Sequence, residues 1–309
     1  MKKHKDPGSN KKVLTVMSAL ISFVLLMVFY CVMLKHDLND YKERYAYIAK
    51  NEAEHIITTI DCVMSRTNTL KTMVQDHNGD TSWFDNIAED IYMSVKDETG
   101  ISLKNFAIAP DGIVSDVYPL DGNESLIGFD FLDTSRTGNL EAKEAYEKGN
   151  TILTNPFELV QGGVGMGGRS SVILRHDGTS SLWGLVTVTI DFDNLIEVLG
   201  LDNLQGMGAD YSLSYIDPDG KAQFMHGDSN LGENTVKTQF QVRNLTWEIE
   251  VKPINGWISI WQIILSMFIV LLFSGFAGIL TYMMLQLRER NEILLRLSIT
   301  DTLTGCHNR

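Results

Sequence analysis

The two longest stretches of the chain without a charged residue cover 13–34 and 254–287. A helix over the first rises about 33 Å, enough to cross a hydrocarbon core of about 30 Å. In the second, Trp257, Trp261 and Tyr282 stand near the ends, where aromatic rings favour the interfacial layer, so the span is placed at 260–282. Residues 37–75 lack glycine and proline, and Tyr41, Tyr45, Ile48, Ala49, Ile56, Ile60, Val63, Leu70 and Val74 recur three, four or seven apart. That is one stripe of a long helix continuing from the first apolar run. The stripe can pack on its own domain or pair with another copy; we expect both, the lower part facing a partner. Trp83, Phe84, Ile87 and Ile91 predict a second, shorter helix.

From Leu103 the period changes to two. "LKNFAIA" reads as a strand, "PDG" at 110–112 as a tight turn, with Pro presetting one angle and Gly allowing positive φ, and "IVSDVYPL" as the returning strand. After a helix, "NLEAKEAYEKG", three strands are predicted, "TILTNPFELV", "SSVILRH" and "LWGLVTVTID", then a helix, "DNLIEVLGL". The pattern predicts an α+β unit, an antiparallel sheet with helices on one side. A smaller unit follows, "YSLSYIDPDGKAQFMHG" and two more strands in "VKTQFQVRNLTWEIEVKP". The repeated Pro-Asp-Gly hairpin, at 110–112 and 218–220, points to two related modules in series.

Charge changes this picture into a topology. The net charge is −13, which argues against nucleic acid as a partner, since that needs a basic surface. The basic residues concentrate beside the apolar runs: Lys2, Lys3, Lys5, Lys11 and Lys12 before the first, Arg288, Arg290, Arg296 and Arg309 after the second. By the positive-inside rule both ends face the cytoplasm, and the acidic segment of about 35–256 lies outside. The first run is longer than a usual signal core and lacks a small-x-small cleavage site, which favours a retained helix over a cleaved signal. Of the three cysteines, Cys31, Cys62 and Cys306, only Cys62 lies in the outer segment, so that segment holds no internal disulfide. Cys62 is read as a half-buried free thiol, with an intermolecular disulfide as the alternative if two copies pack along it.

The blocks "NFAIAPDGIVSDVYPLDGNESLIGFDFL", "ILTNPFELVQGG" and "LWGLVTVTIDFDNLI" resemble the CHASE family of extracellular sensing domains in order and spacing, over roughly residues 70–200. The resemblance implies a stalk helix bearing two PAS-like modules, the membrane-distal one holding a small ligand. It points to Asp130 as a carboxylate accepting from ligand N–H groups, or else as the cap of the following turn. It points to Leu153 and Thr154 as backbone contacts, and Tyr118 is a candidate ring wall or a core aromatic. "GGVGMGG" contains G-x-G-x-x-G at Gly163, Gly165 and Gly168, but a dinucleotide site needs a strand before the motif and a helix after it, whereas a strand follows here. It is read instead as a flexible loop bordering the pocket. Asp111, Asp116, Asp121, Asp130 and Asp133 lack the spacing of a calcium loop, so no metal site is expected. No catalytic motif occurs in the outer segment, which reads as a binder. The expected layout is a cytoplasmic N-terminus at 1–12, membrane helices at 13–34 and 260–282, a stalk at 35–80, a distal module at 81–204, a proximal module at 205–256, and a linker helix at 283–300.

Beyond the second membrane helix, Leu287, Leu294 and Leu297 give a short coiled-coil stripe. "DTLTGCHNR", residues 301–309, then resembles the opening motif of GGDEF domains, the diguanylate cyclases, with Asp301, Leu303, Thr304, Gly305, Asn308 and Arg309 in one register and Cys306 where that family usually has leucine. In that family the motif is a structural turn, and the catalytic groups, with Mg and GTP as metal and substrate, lie further on. No GGDEF signature occurs within these residues, so the sequence is expected to be a piece of a longer product rather than the result of an early stop. The expected function is a homodimeric membrane receptor in which an external small molecule regulates a cyclic di-GMP output. A sensor histidine kinase needs a phospho-accepting histidine on the linker, and none precedes His307. A binding protein without output is the third reading.

Overall fold

The structure, a computed structural model, describes residues 7–136, 138–176 and 178–299; the candidate cyclase motif at 301–309 lies outside the described residues. The first helix, α1, is Pro7–Asp76. Pro7 stands at its first position, where a missing N–H costs nothing, and no glycine or proline interrupts it after Gly8. It stops where Asn78 and Gly79 adopt positive φ, with Gly79 N–H on the Val74 carbonyl at 2.8 Å, a left-handed cap. Then come α2 (Phe84–Thr99), β1 (Leu103–Pro110), β2 (Asp116–Tyr118), a 3-10 turn at Glu124–Leu126 and α3 (Asn139–Lys148). Next are β3 (Thr151–Leu153), β4 (Phe157–Glu158), β5 (Val164–His176), β6 (Thr179–Asp191), α4 (Phe192–Leu199) and α5 (Asn203–Gly206). The chain continues through β7 (Ala209–Ile216), β8 (Ala222–Gly227), β9 (Val236–Val242) and β10 (Leu245–Pro253) to α6 (Ile260–Ile299).

Two compact units result. One contains α1 up to Lys42 together with α6; the other is Glu43–Ile254. In the first, both helices are long and apolar enough to cross a membrane. They meet through a Ser18–Thr281 hydroxyl contact of 2.7 Å and an ion pair between Lys11 and Glu289. Large side chains such as Leu25, Phe29, Phe268 and Met284 point outward, a surface suited to hydrocarbon rather than water.

The second unit is mixed α+β. Its first sheet runs β2-β1-β6-β5-β3, with β4 also on β5; its second runs β8-β7-β10-β9. Every pairing is antiparallel. In each sheet a Pro-Asp-Gly hairpin forms one edge, but the turns differ. At the first, Pro110 ends the strand and Asp111 and Gly112 both take positive φ, closed by Ile113 N–H on the Pro110 carbonyl. At the second, Pro218 sits inside the turn and only Gly220 has positive φ. The return strand after the first turn is shorter than expected, Asp116–Tyr118, and the segment "TILTNPFELV" breaks into β3 and β4 around Pro156, which has no N–H for a ladder.

The expectation of helices on one side of the first sheet needs correction. One face packs on α1, α2 and α4 in a core that includes Ile56, Ile60, Met64, Phe106, Val186 and Val188; the expected α1 stripe is buried here from Ala49 to Val74. The other face carries α3 and the 114–131 segment in a second cluster with Ala107, Ala109, Leu126, Phe131, Ala142 and Leu185. The turn between β9 and β10 ties the two sheets and α1 together. Asn244 accepts from the Leu153 N–H (2.8 Å) and donates to its carbonyl (2.9 Å), and Arg243 pairs with Asp61 at 2.8 Å.

Candidate ligand pocket

The register of the first sheet gives its two faces different side chains. On the α3 side, Asn105, Thr189 and Gly167 stand in one row, Ala107, Thr187 and Arg169 in the next, and Ala109, Leu185 and Ser171 in a third. On the α1 side the intervening rows hold Phe106, Val188 and Gly168, then Ile108, Val186 and Ser170. Successive strand residues alternate faces, so small and polar positions accumulate on one face and large apolar ones on the other. The small face leaves space. A cavity of about 310 Å³ lies there, at the lower end of the roughly 300–1,000 Å³ of small-molecule sites.

Its floor is Asn105, Thr189 and Arg169; its walls are Phe129, Phe131 and Phe157; Arg136, Glu158 and Gln161 stand at its mouth. The cover is held by amides. Asn139, at the start of α3, donates through Nδ2 to the carbonyls of Asp130 (3.0 Å) and Asp133 (2.9 Å). Asn123 donates to the carbonyls of Pro119 and Lys104, while its Oδ1 accepts from Asn105 and Gln161. The Asn139 orientation is fixed by the two carbonyls, and its Oδ1 is buried without a partner. An orphan acceptor of this kind costs about 1–3 kcal/mol when nothing donates to it. Phe129 and Phe131 meet edge-on at 5.5 Å between ring centroids.

Arg169 is the only charged group on the floor and is 4 % exposed. Its Nη1 donates to the Gly138 carbonyl. Its guanidinium lies 4.8 Å from the Phe131 ring centroid and 5.8 Å from that of Phe157, cation–π contacts worth about 0.5–2 kcal/mol each. Burial pushes this guanidinium down to about 10, with the Glu141 carboxylate acting weakly in the other direction. It is still a cation at neutral pH. Arg136 is tied to the cover instead, over the Phe129 ring at 4.9 Å and 3.7 Å from Asp133. The Ser135 hydroxyl and N–H hold the Asp133 carboxyl below the usual range.

None of the residues expected from the sequence is in the lining of this cavity. Asp130 is exposed; its carboxylate accepts from the Leu132 N–H at 2.7 Å, the turn-capping alternative, and its carbonyl is one of the two held by Asn139. Leu153 is fully buried in the α1-side core. Thr154 exchanges bonds with Gly167, one residue from the Gly168–Arg169 step, accepting at Oγ1 from its N–H (2.8 Å). Tyr118 packs on the opposite face of the sheet, edge-on to Tyr92 at 5.9 Å. The glycine-rich segment is not a loop: Gly165, Gly167 and Gly168 lie within β5. The reason is close approach. A Cβ on Gly168 would stand 2.1 Å from Met64 Sδ of α1. Only the turn before β5 borders the cavity, through Val160 and Gln161.

A larger cleft of about 600 Å³ lies between α1 and α6, but its lining is almost wholly apolar, including Leu20, Phe23, Leu271 and Ile279. Acyl chains fill such a space without recognition, so the smaller cavity is the better candidate.

The fold is an α+β unit of two antiparallel sheets carrying a cavity with polar and aromatic lining. More particularly, residues 92–226 match the CHASE domain family, so a CHASE domain is present from α2 across the first sheet and into β8. Among solved structures, an extracellular ligand binding receptor from Desulfohalobium retbaense DSM5692 is similar, with a TM-score of 0.50 and 14 % identity over 67 % of this chain. The match spans only 40 % of that receptor's length, and it is a likeness of fold. The ligand binding domain of the Pseudomonas aeruginosa PAO1 amino acid chemoreceptor PctC, solved with GABA, aligns with a TM-score of 0.44 and 16 % identity, over 68 % of this chain and 98 % of that one. No curated protein sequence matches the chain.

Proposed function

We propose that this chain is a membrane-anchored sensor whose segment between the apolar helices lies outside the cytoplasm and binds a small organic ligand in the cavity above the first sheet. The observation that carries the reading is that cavity itself, with a buried cation on its floor and three phenylalanines on its walls, inside the CHASE segment. The membrane layout rests on helices 13–34 and 260–282 and on the basic residues flanking them. In this reading 35–80 is the stalk, 81–204 and 205–256 are membrane-distal and membrane-proximal PAS-like modules, and two copies associate through stalk and linker. Asp130 belongs to the cover, Leu153 and Thr154 buttress β3 and β5 from the side, and Tyr118 supports the sheet from behind.

β5 offers a route from ligand to stalk. Arg169 faces the cavity and its neighbour Gly168 faces Met64 of α1, so a shift of this strand is felt at the helix. A ligand moves such an equilibrium only by binding one arrangement better than the other.

The binding reading is tested by scanning calorimetry of the full chain in lipid nanodiscs against a mixture of soluble metabolites, followed by fractionation. A ligand at about 100 times its Kd stabilises the folded state by about 2.7 kcal/mol. Thr189→Phe, which fills the cavity floor, should remove the effect; a stabilising compound that works equally on Thr189→Phe would place binding elsewhere.

A second reading concerns the output and rests on "DTLTGCHNR" at 301–309. There the sensor regulates a diguanylate cyclase that uses Mg and GTP; a histidine kinase or no output at all are the competing arrangements. Expressing the complete reading frame and assaying cyclic di-GMP decides among them.

A further inference from the structure

Arg169 poses a problem that its neighbours do not solve. A guanidinium has five N–H donors in a rigid fork. Among the described residues this one makes a single hydrogen bond, from Nη1 to the Gly138 carbonyl, and no ion pair. Glu141 acts on it only at longer range, from a half-exposed position on α3. Two aromatic rings soften the burial, but neither supplies a counter-charge. A buried cation without a paired anion is expensive, and a carbonyl could be satisfied by a neutral donor. Residues that break a local stability rule in this way concentrate where function uses them.

The second observation is the lining: Phe129, Phe131 and Phe157 stand with Arg169 in the same cavity. The site therefore presents an unmatched planar donor fork with aromatic walls around it. The mouth carries both signs, Arg136 engaged with Asp133 and Glu158 exposed, so it does not exclude an anion.

Resting on the sensor reading above, we infer that the ligand is a small carboxylic acid. Its carboxylate pairs with the free N–H groups of Arg169, and its hydrocarbon body lies against Phe129, Phe131 and Phe157. Arg is suited to this role because its fork matches a carboxylate at two points, which a lysine ammonium does not.

The test uses the full chain in nanodiscs and isothermal titration with L-phenylalanine, L-leucine, phenylacetate and 4-hydroxyphenylacetate, each beside its primary amide, and with phenyl phosphate. At least one acid should bind, and its amide, equal in shape but without the carboxylate charge, should bind at least tenfold more weakly. Arg169→Met keeps most of the packing volume; it should lose acid binding by about a hundredfold while raising the unliganded melting temperature, because an uncompensated buried charge is gone. A merely structural arginine would give a lower melting temperature instead. Arg169→Lys should recover only part of the affinity. Equal binding of acid and amide, or acid binding intact in Arg169→Met, overturns the inference and leaves the pocket standing. Binding of phenyl phosphate alone overturns the carboxylate assignment. Binding by none of the probes overturns this inference, while binding of neutral metabolites blocked by Thr189→Phe would still uphold the pocket. If Arg169→Met does not fold, the acid–amide ratio on the unaltered chain decides.

Discussion

Single residues show where the sequence spoke and where it did not. Asp130, Leu153, Thr154 and Tyr118 came from family resemblance, which aligns blocks but does not orient side chains. The structure sets all four outside the cavity lining, which draws on six separate segments. Arg169 leaves a signal, a charge beside a strand-like run, but the predicted strand begins at Ser170 and so excludes it. Asn139 left none, since an asparagine at a helix start reads as a cap. Outside the cavity, the Tyr211 hydroxyl donates to Asp202 Oδ1 at 2.5 Å, and with His226 beside it this holds the Asp202 carboxyl below the usual range. A depressed carboxylate stabilises the fold above the ordinary value of about 3.9 and loses that contribution as pH falls through its folded value. Tyr211→Phe should therefore flatten the acid limb of stability, measured by urea denaturation between about pH 6 and 3. Asp202 is mostly exposed, so solvent screening keeps the effect to roughly 1 kcal/mol or less. An unchanged acid limb would show that the bond contributes nothing.

At the scale of elements, long periodic segments were legible and short or glycine-rich ones were not. The stripe of α1, the helices α3 and α4 and the strands β6, β7 and β10 follow from period and turn residues alone. β5 did not, because glycine reads as a loop until a partner explains it. That partner is Met64, fully buried against Gly168. Gly168→Val should cost about 1–3 kcal/mol by overpacking, and Met64→Ala in the same chain should restore part of it. A double-mutant cycle reads the coupling, expected at about 0.5–3 kcal/mol; additive effects would mean that the strand and the helix do not sense each other.

For the whole molecule, the proposed membrane layout, drawn from two apolar helices and the charges beside them, assigns the cysteines to sides. With Cys31 replaced by serine, a membrane-impermeant maleimide should label Cys62 on intact spheroplasts, slowly because the residue is half-buried, and Cys306 only after permeabilisation. Labelling of both from one side would overturn the two-span topology. Between those helices, the first sheet carries its bulk beneath and its vacancy above. Substitutions at 129, 157 or 189 can therefore reshape what is recognised while the scaffold under the strands stays as it was, so descendants of this domain are free to change their chemical preference without refolding.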